Sequence, residues 1–73
     1  MKIGSVIQFN EKHKWCGSLG IICEMKDMPD NDTRYMIGVP IPKSGTAYIY
    51  VMDSDREIEY IGEAVLREPE VKE

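Results

Sequence analysis

Seventy-three residues, 42% of them apolar and 30% charged, with a formal net charge of −4, describe one small globular domain rather than a disordered or membrane-embedded chain. A chain of this length buries only about 60% of the surface its unfolded form exposes, which excludes a large enclosed active-site cavity. No apolar run approaches the about 20 residues of a membrane span, and Met1 to Ser5 lack the apolar core of a secretory signal, so the expected location is cytoplasmic, with Cys16 and Cys23 reduced.

In chain order, Ser5-Val6-Ile7-Gln8-Phe9 alternates at a period of two behind Gly4 and predicts a first strand with Ile7 and Phe9 inward. Residues 10–15 form a polar excursion that closes on Trp15. The stretch from Trp15 to Met25 organises the rest, because Gly17 and Gly20 suit a bend that feeds a strand over residues 19–25, rich in β-branched Ile21 and Ile22. Asp27 to Thr33 is dense in turn formers around Pro29 and predicts a loop. A third strand spans residues 34–39, with Tyr35, Ile37 and Val39 on one face.

Pro40 and Pro42 hold the next segment extended, and Ser44-Gly45 supplies a turn back. Residues 46–52 are uninterrupted, β-rich and alternating. With Ala47, Ile49 and Val51 inward, Tyr48 and Tyr50 must project from the opposite face. Asp53 to Arg56 turns the chain. Residues 57–62 then predict a closing strand with Ile58 and Tyr60 inward and Glu57 and Glu59 in water, and Ala64-Val65-Leu66 a short final edge strand. Residues 1–66 thus form a single domain, and residues 67–73 a charged flexible C-terminal tail.

The pattern Gly17-x-x-Gly20-x-Ile22-x-x-Met25, followed after a polar loop by Tyr35-Met36-Ile37-Gly38-Val39, resembles the glycine-centred KOW element carried by small Src-homology-3-like or Tudor-like barrels. In overall style the chain also resembles small uncharacterised prophage-encoded proteins. The resemblance implies an all-β, five-stranded Src-homology-3-like barrel and, through the KOW element, an association with nucleic acid. Charge argues differently. Residues 1–26 carry four lysines against two acids, but residues 27–73 carry eleven acids against five bases, which disfavours a broad phosphate-neutralising surface.

Catalytic and metal signatures are weak. His13-x-x-Cys16-x6-Cys23 offers three zinc-type donors without an evident fourth, and His13 with Cys16 lacks an orienting third group for thiolate chemistry. Asp30-Asn31-Asp32 resembles the opening of a calcium loop, but Tyr35 stands where the glycine is needed and Ile41 where the glutamate is needed. Asp53, Asp55, Glu57 and Glu59 alternate, and as a solvated acidic edge they discourage strand-to-strand aggregation. No catalytic residue, metal ligand or cofactor site is therefore expected.

The aromatic residues are the better lead. Trp15, Tyr48, Tyr50 and the Pro40/Pro42 corner, edged by Lys12, Lys14 and Lys43, make a candidate surface for an extended peptide, since rigid aromatics offer large contact area with few torsions to freeze. The expected function is a non-catalytic protein-interaction module, such as a phage accessory factor acting on a host protein. Two alternatives stand beside it. One is a KOW-like nucleic-acid module, with the lysines on phosphates and the aromatics on bases. The other is an acidic inhibitor of a nucleic-acid-processing or defence enzyme, acting through Asp53, Asp55, Glu57 and Glu59.

Overall fold

A computed structural model describes residues 1–64. Five strands follow one another: β1 (Ser5–Phe9), β2 (Leu19–Met28), β3 (Asp32–Ile41), β4 (Gly45–Met52) and β5 (Ile58–Glu63). All pair antiparallel in one sheet of order β4-β3-β2-β1-β5. Two 3₁₀ turns, Pro29–Asn31 and Asp53–Asp55, complete the chain, and there is no α-helix among the described residues. The fold is all-β, as the alternating patterns require.

The sheet is open. Its edges are β4 and β5, which share no ladder, so the expected closure into a barrel is not made by hydrogen bonding. The sheet curls instead, and Val51 of β4 joins Ile7 and Phe9 of β1 in one buried cluster with Ile22, Tyr35, Ile37 and Val39. The link from β4 to β5 is tied to the end of β1, where the Asn10 N–H donates to the Glu57 carbonyl at 2.9 Å and the Asn10 side-chain amide donates to the Arg56 carbonyl at 2.8 Å. That clamp delivers β5 to the far side of β1.

The two glycines at the start of β2 do what their spacing suggests. Gly17 sits at φ 91°, a turn conformation open to glycine at little cost. Gly20 is buried, and a Cβ there would lie 2.5 Å from the Ile37 side chain, so its absence lets β2 and β3 pack closely. The ladder between β2 and β3 shifts register between Ile22 and Glu24, leaving Cys23 as the extra residue of a bulge.

Several boundaries differ from expectation. β2 runs on to Met28, and the loop shrinks to the turn at Pro29–Asn31, where Asp30 and Asn31 both take positive φ. β3 continues through Pro40 to Ile41. Pro40 pairs with Thr46 of β4 beyond the end of the β2 ladder, where a missing N–H breaks no second set of bonds. Tyr60, expected inward, is 52% exposed. It lies on an edge strand whose register slips opposite Val6 and Ile7, and its hydroxyl donates to Glu63 at 2.8 Å. Ile58 does pack on the core. Ala64 is not in a strand; its N–H donates to the Gly4 carbonyl at 2.9 Å. The remainder of that expected edge strand, Val65 and Leu66, and the expected tail over 67–73 lie outside the described residues.

Candidate functional site

Alternation on β4 places Val51 in the core and leaves Tyr48 and Tyr50 on the outward face, 61% and 57% exposed. Register then carries neighbouring side chains into rows across the sheet. Tyr48 lies opposite Gly38, Gly38 opposite Ile21, and Ile21 opposite Val6, a row that crosses four strands without a charged side chain. Gly38 is the buried point of that row, covered by its neighbours' side chains. The space its Cβ would fill is bounded by Cys23 Sγ at 3.1 Å, Thr46 Cγ2 at 3.4 Å and Tyr48 Cε1 at 3.6 Å.

The adjoining row holds Tyr50, Met36 and Glu24, and the next Met52, Arg34 and Lys26. Arg34 stacks on Tyr50, its guanidinium carbon 4.6 Å from the ring centroid, which fixes the ring and sets a cation beside the apolar rows. A shallow hollow lined by Ile3, Met25, Arg34, Met36 and Tyr50 opens at this point.

Trp15 builds a second hollow. His13, Trp15 and Ser18 belong to a loop of consecutive turns, in which the Trp15 N–H donates to His13 Nδ1 at 3.0 Å and the Trp15 carbonyl accepts from Ser18 N–H at 3.0 Å. The indole packs on the core from the end of the sheet. With Lys14, Val39, Pro40, Ile41 and Pro42 it lines an open cleft. The structure therefore brings Trp15, Lys14, Pro40 and Pro42 together, and seats Tyr50 in the other hollow. Lys12 and Lys43 are exposed on turns and line neither.

The alternating acids do not share one strand face. Asp53 and Asp55 lie in the 3₁₀ turn, and Arg56 in the left-handed region at φ 51° separates them from Glu57 and Glu59. Asp53 accepts a hydrogen bond from the Tyr35 hydroxyl at 3.0 Å. Burial, that bond and the carboxylate charge push the Tyr35 hydroxyl up to about 12. Glu57 faces His13, with Oε2 3.6 Å from Nε2, and Glu59 lies opposite Gln8 on β5.

His13 has structural work to do. Its ring packs against Phe9 at a centroid separation of 4.4 Å, and its Nδ1 takes the Trp15 N–H as described. Cys16 is exposed on the same loop, Cys23 is half-buried on β2, and both are free thiols. Among the described residues no three His, Cys, Asp or Glu side chains cluster closely enough to hold a metal ion. No helix of the described residues is long and apolar enough to cross a membrane.

Sequence reasoning found the two tyrosines but missed Ile21, Met36, Gly38 and Arg34 as their neighbours. Leu19 and Ile21 alternate with buried Gly20 and Ile22, which signals that they face outward. The register that sets Ile21 beside Gly38 and Tyr48 is tertiary and has no local signal. The chain matches no protein family, no curated protein and no solved structure.

Proposed function

We propose that this chain is a non-catalytic protein-binding module with a Src-homology-3-like course of strands, and that its outward sheet face docks an extended apolar segment of another protein. The observation that supports this reading is the row Tyr48, Gly38, Ile21, Val6, which sets aromatic and branched side chains in line on the outward face across four strands. An extended segment presents side chains at alternate positions, and a track of fixed aromatic and branched residues receives them at low entropic cost. Arg34 beside Tyr50 adds a polar anchor at one end. The acidic-inhibitor alternative draws less support, because Asp53 and Asp55 are divided from Glu57 and Glu59 by the turn at Arg56.

The test uses the immobilised full chain to capture proteins from a cell extract at about 150 mM salt, where exposed charge contacts are screened beyond about 8 Å. A protein retained by the wild type and lost with Tyr48→Ala and with Ile21→Lys, while both variants keep the wild-type circular dichroism, is the expected result. Capture unaffected by both changes overturns the reading. So does binding of a single-stranded oligonucleotide that weakens steeply with salt, which transfers the surface to nucleic acid.

A further inference from the structure

The two edges of the sheet are built differently. β5 is short, carries Glu59 and Glu63, and is out of regular register with β1, all of which protect an edge from further pairing. β4 has none of these devices. Gly45–Met52 holds eight residues without a charge or a proline, paired regularly to β3 along its whole length, with the other side of its backbone free among the described residues. Such an edge is a template for another strand.

The ends of β4 identify the strand. Lys43 stands just before it, and Asp53 and Asp55 just after it. A neutral strand with a cation at one end and anions at the other complements a second copy of itself only when the two run antiparallel. We propose that two copies of this chain associate edge to edge through β4, about a two-fold axis near Ile49, to make one continuous ten-stranded sheet.

In that register Ile49 meets its own counterpart, Tyr48 of each copy lies opposite Tyr50 of the other, and Ala47 lies opposite Val51. Aromatic and branched pairs at these spacings are favourable across strands. Lys43 of each copy reaches the turn that carries Asp53 and Asp55 of the other, so both ends of the ladder are charge-matched. A parallel pair would oppose Lys43 to Lys43. The two outward faces then run on into each other, and the docking track described above is doubled. The association rests on the edge of β4 and the docking on its outward face, so either can fail alone.

Sedimentation equilibrium of the full chain, from about 10 μM to about 1 mM at low salt, tests the proposal. An edge-only interface is smaller than a standard stable one, so the association is expected in the upper part of that range. The expected result is a reversible approach to twice the 8.4 kDa chain mass. Lys43→Asp and Asp55→Lys, both at exposed turn positions, are each expected to weaken self-association about tenfold by replacing two symmetric attractions with repulsions. A mixture of the two variants restores pairing, because Asp at 43 then faces Lys at 55 while the second end keeps its native pair. A chain that stays at 8.4 kDa throughout overturns the proposal. So does a dimer indifferent to both charge changes, or one that Ile21→Lys dissolves in their place.

Discussion

Tyr35 of β3 and Asp53 of the second 3₁₀ turn are joined by a 3.0 Å hydrogen bond, with the tyrosine ring in the core and the carboxylate at the surface. The phenol must keep its proton for the bond to exist, and its pKa is raised to about 12 from an ordinary 10.0, first by burial and then by the carboxylate. With a folded value above the unfolded one, the contribution is fully present below pH 10 and is lost as pH climbs toward 12. Unfolding in urea at pH values from 8 to about 11.5 should show a loss of about 2 kcal/mol. In Tyr35→Phe that alkaline decline should flatten, at a cost near neutrality of about 1 kcal/mol. An unchanged alkaline limb in the variant would assign the decline to other groups.

The same turn is held from its other side. Asp32, at the start of β3, accepts from the Ser54 hydroxyl at 2.6 Å, the Ser54 N–H at 3.1 Å and the Thr33 N–H at 2.8 Å. The Ser54 hydroxyl is the largest cause holding the Asp32 carboxyl below its usual 3.8. A depressed folded value means that the contribution is present above pH 3.8 and is lost as the solution is acidified through the folded pKa. Carboxyl-carbon NMR titration should find Asp32 below its ordinary 3.8, and Ser54→Ala should move it back up. In Asp32→Asn the Ser54 amide should lose protection against exchange, and that protection should no longer change as the solution is acidified.

Gly20 and Gly38 look alike in sequence and should answer differently to alanine. A Cβ at Gly20 would meet Ile37 Cγ2 at 2.5 Å, the Gly38 carbonyl at 3.2 Å and Val39 Cγ2 at 3.3 Å, in the core and against backbone. Gly20→Ala should therefore destabilise by about 2 kcal/mol or more, as overpacked core positions do. At Gly38 the nearest atom is the Cys23 thiol at 3.1 Å, which can turn aside. Gly38→Ala should stay within about 1 kcal/mol of wild type and still push aside the Cys23, Thr46 and Tyr48 side chains that cover the glycine, so that partner capture falls while the denaturation midpoint holds. Equal loss of stability at both sites would contradict this division.

The contrast between these glycines also shows which parts of the molecule local sequence encodes. Period-two alternation placed the strand cores, the inward set of Val51 with Ile49, and the outward tyrosines, because the side-chain direction of a strand is fixed by parity alone. It did not place Pro40 inside β3, since proline is tolerated there only because the β2 ladder stops short of it, a property of a neighbour. Tyr60 misled for a related reason. Its parity is inward and it lies opposite buried Ile7, but it sits on an edge strand beside the bulge at Ile61, where its ring stays exposed and its hydroxyl turns to Glu63. Likewise Trp15 and the tyrosines were grouped by chemical kind, and the structure seats Trp15 and Tyr50 in separate hollows.

His13 sets the position of Trp15, and the test of that relation is spectroscopic. The imidazole rests on Phe9, and its Nδ1 must hold a lone pair to accept the Trp15 N–H at 3.0 Å, which leaves the proton on Nε2, facing Glu57. Replacing the ring by alanine removes the packing on Phe9 and leaves the Trp15 N–H without its acceptor. The loop end of the cleft should then loosen. Trp15 is the only tryptophan in the chain, so its emission reports this site alone. His13→Ala should shift that emission to longer wavelength and lower stability by about 1–2 kcal/mol. His13→Asn, which retains a side-chain acceptor for the Trp15 N–H, should recover part of the emission shift but not the packing on Phe9. Emission unchanged in His13→Ala would mean that the indole is held by Val39 and Pro40 alone.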